Sequence, residues 1–510
     1  MKLMNALDIS KDQTGSDHLF SKLERDMEID DIDGKKMPFM TIIAHAIRYL
    51  KEHLLRQLYD KNILEAVTAD GIFWVLTVPA IWTDSAKQFT REAAKEAGIH
   101  DDQLMLAYEP EAAALYCRLL PIDRFESGGE HQELVLKTFE RGKKFMVIDL
   151  GGGTVDVSVQ ETTDTGKMKF IYDVCGGRWG GTRVDEEFTQ FLIKLVGADV
   201  FTEFKDESRS EYLELMRILE IKKKQIDYNS QNKIPVRMPT ALFEILEEHT
   251  GCDISEIIVN SPFANSIFSL QDKISFDASL FRSFFRNSIQ DIIFHLRSVL
   301  EDPVCKDLLG IVVVGGYADS RLIIASIKDT FPGKRIIVPI EAGLAVAKGA
   351  VLFGHDPDVI CSRVCRYTYG DDICLPFNKD KHPFSNLTLI NSERFCKNIF
   401  QNFFEKGEKV FLGQKRSFSS DYDFRDKRRA DQREQPLTIK VYVSNRKNPV
   451  FIYDVGCRTL GEIIVVCKHN SKLWPKTFLC TIEMEIAGTE IQVTAIISSG
   501  EKAKAKFNFL

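Results

Sequence analysis

The stretch VIDLGGGTVDVSV, residues 147–159, constrains this chain more than any other part of it. An apolar run ends in Asp149, three glycines and Thr154 follow, and Asp156 opens a second apolar run. Runs of this kind read as buried strands, and a short glycine-rich link turns one back on the other. Glycines at Gly151, Gly152 and Gly153 admit positive φ and let backbone N–H groups approach an anion, forming a nest for phosphate. Asp149 and Asp156 would then flank that nest. Carboxylates repel phosphate unless a cation lies between them, and Mg²⁺ bridges carboxylates to phosphate oxygens while keeping waters. Thr154 adds a hydroxyl that can donate to a phosphate oxygen. The bland alternative is a tight hairpin whose glycines only satisfy turn geometry. Taken by itself, the motif leaves both readings open.

Three companions bear on the choice. CGGRWGGTRVDEEF (175–188) ends a strand with two glycine pairs and opens a helix at about Thr182. A helix start beside Gly180 and Gly181 is a second candidate phosphate site. VVVGGYADSRL (312–322) is a third glycine turn, Gly315 and Gly316, between a buried strand and a helix. LEIKKKQID (219–227) sets Glu220, Lys223, Lys224 and Asp227 on neighbouring faces of a helix. A solvated charged face is the plainer reading of that helix without context. Neither GGGTVD nor GGRWGG has G-x-G-x-x-G spacing, which disfavours a nicotinamide site.

Around these motifs the pattern alternates. A helix is expected over 40–58, a strand over 73–79, and a helix over 83–98 with Thr83 or Asp84 near its cap and Gly98 ending it. A strand at 104–108 and a helix at 111–120 follow, then a polar loop over 121–143. From 145 to 181 come three strands with short turns. Helices at 182–196, 210–226 and 279–300 follow. Two strand-then-helix steps, 308–316 with 320–331 and 335–339 with 341–354, complete a pattern that predicts a largely parallel α/β core. Beyond about residue 365 the texture becomes all-β. Strands are expected at 436–445, 451–456, 459–468, 478–488 and 490–498, with 415–435 as a mobile insertion.

Bulk properties exclude several classes. With 510 residues the chain should form more than one core. A net charge of -7 argues against a nucleic-acid protein, and the one basic cluster, 425–434, is broken by acids. Eleven cysteines without a CxxC pair read as free thiols in a reducing compartment. No stretch approaches membrane-spanning length, and the first residues lack the apolar run of a signal peptide, so a cytoplasmic location is expected.

In this order the motifs resemble the actin-like ATPase superfamily and, within it, a divergent branch of the heat shock protein 70 family. The resemblance runs from about residue 40 to the end of the chain. VIDLGGGTVDVSV is similar almost residue for residue to that family's second phosphate loop. AYEPEAAALY (107–116) resembles its connecting segment, which places the catalytic glutamate on Glu109. LEIKKKQ resembles the adenosine-contacting helix and VVVGGYADS, with Tyr317 and Asp319, the adenosine loop. IEMEIAGTEIQVTAIISSGEKAKAKFNF (482–509) is similar to the last hairpin of the substrate-binding β-domain.

The resemblance implies a two-lobed actin-like (ribonuclease H-like) α/β nucleotide-binding domain followed by a small all-β domain. The expected divisions are 1–140 as an incomplete first lobe, 141–365 as the second lobe with a helical subdomain at about 200–300, and 366–510 as a β-rich domain without a helical lid. It implies ATP or ADP with Mg²⁺ as cofactors. Asp149 and Asp156 would organise the metal, Glu109 would position the attacking water, and Thr154 would contact the terminal phosphate. Unfolded or specific client proteins would bind the β-domain. The family's first phosphate loop and catalytic lysine find no counterpart in residues 1–31, and GHDPDVICSRVCRYTYG (354–370) stands where an acidic, leucine-rich linker is usual. The expectation is therefore weak ATP binding and slow or absent hydrolysis. A nucleotide-sensing scaffold and a small-molecule kinase of the same superfamily are the alternatives, the kinase disfavoured by the adenosine-type helix and the β-module.

Overall fold

The computed structural model describes residues 23–30, 35–61, 71–121, 124–125, 138–425, 432–466 and 473–497. Residues 1–22, most of the 121–143 loop, the middle of the basic cluster and the end beyond Ile497 lie outside them. The architecture is mixed α/β with several sheets.

The central sheet runs in the order Arg335–Ile337, Leu308–Val314, Lys144–Leu150, Val155–Thr162, Met168–Phe170, Ile360–Val364 and Lys409–Phe411. Cys175–Gly177 pairs to the side of Val155–Thr162. Only part of this sheet is parallel, which corrects the expected parallel core. The first three strands run parallel, whereas Lys144–Leu150 and Val155–Thr162 are antiparallel, as are Val155–Thr162 and Met168–Phe170. The reason is link length: a few residues close a hairpin, and parallel pairing needs a crossover of a dozen or more.

Alternation along these strands builds two cores. Met146, Ile148 and Leu150 face one apolar cluster while Phe145 and Val147 face another. In Val155–Thr162 the odd positions Val155, Val157 and Val159 join the first cluster. Its even positions Asp156, Ser158, Gln160 and Thr162 are buried and polar. Gln160 Nε2 donates to Ser158 Oγ at 3.0 Å and to the Pro110 carbonyl at 3.4 Å, so this polar stripe faces the helix Glu109–Leu119. That helix crosses Ala345–His355 so closely that a Cβ on Gly349 would overlap the Ala112 carbonyl oxygen.

Before the central sheet, Trp74–Val78 and Leu104–Tyr108 pair in parallel beside the helices Phe39–Asp60 and Asp84–Glu96. Thr83 is the cap of the second helix, its Oγ1 accepting from the Ala86 amide at 3.2 Å. A short antiparallel pair, Glu28–Asp30 with Lys36–Pro38, precedes the first long helix. The amphipathic run 279–300 is two helices, Ala278–Ser283 and Arg286–Glu301, because the chain turns at Phe284–Phe285 to bury both rings.

The last third is β-rich, with more strands than expected. One sheet has the order Leu387–Ile390, Glu393–Phe404, Thr368–Pro376, Leu437–Ser444 and Cys457–Val465; another joins Lys415–Asp423, Thr477–Ala487 and Glu490–Ile497. Lys415–Asp423 is thus a strand rather than part of an insertion, laddered onto Thr477–Ala487. Its sequence hides this, because its inward residues Phe418 and Tyr422 are interleaved with serines and charges. Residues 451–456 form no strand; Phe451 makes a single bridge to Ile399.

Several contacts among the described residues fasten this β-rich part to the rest, two of them at the turn after Thr477–Ala487 and at the connecting strand. The turn at Gly488–Glu490 reaches the first helices: Thr489 Oγ1 donates to the Leu106 carbonyl at 3.0 Å, and the Thr489 carbonyl accepts from Lys87 Nζ at 3.0 Å and Tyr108 OH at 3.2 Å. Arg363, on the connecting strand, forks onto Glu111 with both bonds at 2.6 Å and also donates to the Gly488 carbonyl. Glu111 is wholly buried, so the pair holds only as a pair. Arg363→Ala should lower the unfolding free energy by about 3–5 kcal/mol, and a combined Glu111→Leu, Arg363→Met exchange should recover most of the loss. Equal losses in urea melts of the two variants would refute this account.

Candidate functional site

Asp149 and Asp156 lie directly opposite each other across the hairpin, Asp149 paired with Asp156 and Leu150 with Val155. Directly opposed residues on one face bring their Cβ atoms to roughly 5 Å. Both carboxylates are buried, Asp149 at 4 % and Asp156 at 1 % exposure. Asp156 Oδ1 accepts from the Ile81 amide at 3.0 Å, which ties the hairpin to the segment after Trp74–Val78. Glu109 opens its helix on the same side and is half-buried. Burial, then the charge of Asp156, pushes the Asp149 carboxyl up to about 7. Burial and the charges of Asp149 and Asp156 push Glu109 well above the ordinary carboxylate range. The three acids thus lie near enough for their charges to raise the proton affinity of Glu109 and Asp149.

The glycine turn between the aspartates is braced from behind. The Gly151 amide donates to the Thr154 carbonyl at 2.9 Å, closing the turn. The amides of Gly181, Thr182 and Gly180 donate to the carbonyls of Gly151 (3.2 Å), Gly152 (2.7 Å) and Gly153 (3.2 Å). The helix start at Thr182, expected to offer its amides to an anion, uses them here to hold the turn. A Cβ on Gly180 would collide with the Gly151 and Gly152 carbonyl oxygens, so close packing demands glycine at that position. On the other side of the turn, the position beside Gly152 is open space. Thr154 is buried at 7 %.

Gly315 packs against the same hairpin. Its φ is +92° and a Cβ there would overlap Asp149 Oδ1 and the Leu150 carbonyl. The next residue, Gly316, borders open space, so this loop leaves a gap next to the acids.

The charged helix turns out to be anchored to these loops. Lys223, buried at 3 %, donates to the Gly181 carbonyl at 3.1 Å and pairs with Asp185 at 2.8 Å and Glu220 at 2.6 Å. Lys224 pairs with Asp319 at 2.8 Å near the surface. Tyr317 is mostly core: 6 % exposed, its hydroxyl beside Ser288 Oγ at 3.2 Å and its ring against Phe285. Asp227 stands apart, accepting from Ser230 in its own turn at 3.0 Å. Asp185, Ser288 and Glu111 are partners that sequence reasoning missed. Asp185 lies inside the quoted GGTRVDEEF, where an acid in a first helical turn reads as ordinary dipole chemistry.

Comparison with known proteins decides the family. A model described as Hsp70 protein matches residues 11–256. Heat shock 70 kDa protein 12A from Mus musculus is 30% identical over 540 residues, covering 97% of this chain and 78% of its own length. The chain belongs to the heat shock protein 70 family. Heat shock 70 kDa protein 12B from Homo sapiens is 27% identical, with the same coverage of both chains. Chaperone protein dnaK from Cyanidium caldarium is 26% identical over 342 residues, covering 64% of this chain and 46% of its own. The divergent branch of the heat shock protein 70 family expected from the motifs is therefore the 12A/12B-like one, and the chain is a nucleotide-binding protein of that kind.

Heat shock protein 70 ATPases use ATP or ADP with Mg²⁺, and the donor set here fits that ion. Among the described residues no group of three His, Cys, Asp or Glu side chains forms a metal site. Mg²⁺ does not require one: it is held by one or two carboxylates, waters and substrate phosphates. Also among the described residues, no helix is long and apolar enough to cross a membrane.

The raised Asp149 pKa fixes a sign. The unfolded chain ionises Asp149 near its ordinary 3.8, the folded one near 7. Stability without cation is therefore full at acid pH and falls as pH rises through that window, by at most roughly 1.4 kcal/mol per unit. Between pH 5 and 8, thermal melts should show the midpoint dropping. Asp149→Asn should flatten this dependence and raise the midpoint at pH 8; an unchanged slope would overturn the assignment.

Proposed function

We propose that this chain is an ATP-binding, chaperone-type heat shock protein 70 with weak or absent hydrolysis. The observation that supports the reading most is the buried Asp149–Asp156 pair at the lip of a braced glycine turn, with Glu109 facing it. In this reading Asp149 and Asp156 hold the Mg²⁺ waters, and the ion supplies charge neutralisation for the phosphates when bound. Gly151, Gly152, Gly153 and Thr154 line the phosphate side, with Gly180 and Gly181 setting the turn from behind. Glu220, Lys223, Lys224 and the loop Gly315–Asp319 border the nucleoside side, where Lys223 and Lys224 fix the loops to the helix. Asp227 takes no direct part.

Glu109 acts as the residue that holds a proton or orients a water, since burial and then the charges of the same two acids raise its affinity for protons. Phosphoryl transfer to water depends on positioning and charge stabilisation. The grip identified belongs to one side of a two-sided cleft, and the sequence supplies no matching Asp-Gly-Thr turn in residues 1–31. A cleft without an opposing clamp would lose several kcal/mol of transition-state stabilisation, by analogy with removing an oxyanion donor (~3–4 kcal/mol each). The divisions 1–140, 141–365 and 366–510 serve as first lobe, second lobe and client-binding β-domain, in a cytoplasmic protein.

Calorimetric titration with ATP tests this. Wild type should bind ATP measurably only with Mg²⁺, and Asp149→Ala should abolish the Mg²⁺-dependent part. Undetectable binding by wild type would sink the nucleotide reading, and brisk turnover would sink the claim of impaired hydrolysis.

A further inference from the structure

Where the connecting strand Ile360–Val364 runs into the β-rich part, the surrounding segments enclose a cavity of about 100 Å³. Residues of the 80–87, 172–174, 363–367 and 488–491 stretches contribute to its wall. Trp82, Phe170, Val410, Leu460 and Ile491 make part of that wall apolar. The charged residues around it fall into two groups. Lys87 is paired with Asp84, Arg363 with Glu111 and Glu490 with Arg91, at 3.0, 2.6 and 2.5 Å. Those pairs cancel. Arg366, Arg458 and Asp173 remain.

Arg366 is the unusual member. Its Nη1 donates to the Ile81 carbonyl at 2.8 Å, which holds the side chain in place and leaves the rest of the fork unspent. The group is half-buried, yet among the described residues no carboxylate stands within ion-pair distance of it. A charge drawn out of water in this way is costly until an opposite charge meets it. Arg458, exposed at the rim, also has no carboxylate partner among the described residues. Tyr367 gathers the two, its ring centroid 5.4 Å from Arg366 Cζ and 5.5 Å from Arg458 Cζ, within cation–π range. Against them stands Asp173. Burial pushes its carboxyl up to about 6, while the charges of Arg366 and Lys406 pull it down. Two guanidiniums and one carboxylate leave the lining with an excess of one positive charge.

We infer that this cavity is a binding site for a short-chain organic monocarboxylate, held by Arg366 with Arg458 at the rim. A carboxylate matches the planar guanidinium fork through two parallel charge-assisted bonds, and Arg366 has the donors to make them. One negative charge meets the excess, whereas a phosphate dianion would bring a second charge up to Asp173. The cavity is smaller than the roughly 150 Å³ hollow that takes up benzene, which limits the ligand to a few carbons. The apolar part of the wall suits an alkyl tail. The site lies apart from the 149–156 turn and is joined to it through Ile81, whose amide holds Asp156 and whose carbonyl holds Arg366. Neither nucleotide binding nor client binding is needed for it.

Sodium butyrate is the probe, titrated by calorimetry into the full chain at an ionic strength held constant with sodium chloride. Binding should saturate. Butyramide, uncharged and of similar shape, should bind about tenfold more weakly or worse, the factor that charge-assisted bonds carry. Inorganic phosphate and decanoate control for charge and length, and both should bind more weakly than butyrate. Arg366→Gln should weaken butyrate by about tenfold or more, and Arg366→Lys, which keeps the charge without the fork, should recover only part. Arg458→Gln alters an exposed side chain and spares the fold; a roughly two- to fivefold loss is expected there. Absence of saturable butyrate binding, equal affinity for butyramide, or full affinity in a folded Arg366→Gln chain would each remove the site. If Arg366→Gln does not fold, unchanged affinity in Arg458→Gln decides against it. Phosphate binding as tightly as butyrate would remove the monocarboxylate assignment, and tighter binding of decanoate the short-chain one.

Discussion

Two buried carboxylates facing each other across one hairpin set the terms for the surrounding structure. Asp149 and Asp156 cannot both be ionised cheaply in a dry interior, and the shift of Asp149 to about 7 expresses that cost. The neighbourhood is arranged to keep them there. Three amides of the 180–182 segment hold the turn between them, the Ile81 amide holds Asp156, and Gly315 passes so close to Asp149 that no side chain could stand in its place. A positive charge placed between these two acids would offset that cost.

The same hairpin links the site to the remainder of the chain. Its polar stripe, Asp156 to Thr162, faces the helix that begins at Glu109. One turn of that helix carries Glu109 toward the acids and Glu111 toward Arg363, which in turn holds the Gly488 carbonyl of the β-rich part. Charge state at the acids and attachment of the β-rich part are therefore expressed through adjacent residues of one rigid element. A cavity of about 100 Å³ lies where these pieces meet, lined by Lys87, Asp173, Arg363 and Arg366 among others.

Much of this was legible in the residues. The glycine turn, its aspartates and the helices at 39–60, 84–96 and 182–196 were readable because strong periodicity and strong turn chemistry coincide there. The errors have physical causes. Lys415–Asp423 hides its strand because only one side faces the core. The run 279–300 looked continuous because a turn at Phe284–Phe285 costs no apolar pattern. At Gly180 the glycine that reads as part of a phosphate cradle also packs tightly on the turn, and a packing glycine and a cradle glycine are identical on paper.

By itself the sequence determined the chemistry available: two acids around a glycine turn, a charged helix, and a second glycine loop, each a local pattern that short-range rules can read. Only the tertiary structure decided which of them meet. Lys223 finds Gly181 and Asp185 across 42 and 38 residues, Glu111 finds Arg363 across 252, and Asp227 is bonded by Ser230 within its own turn. Such pairings depend on which faces of distant elements pack together, and no local pattern carries that information.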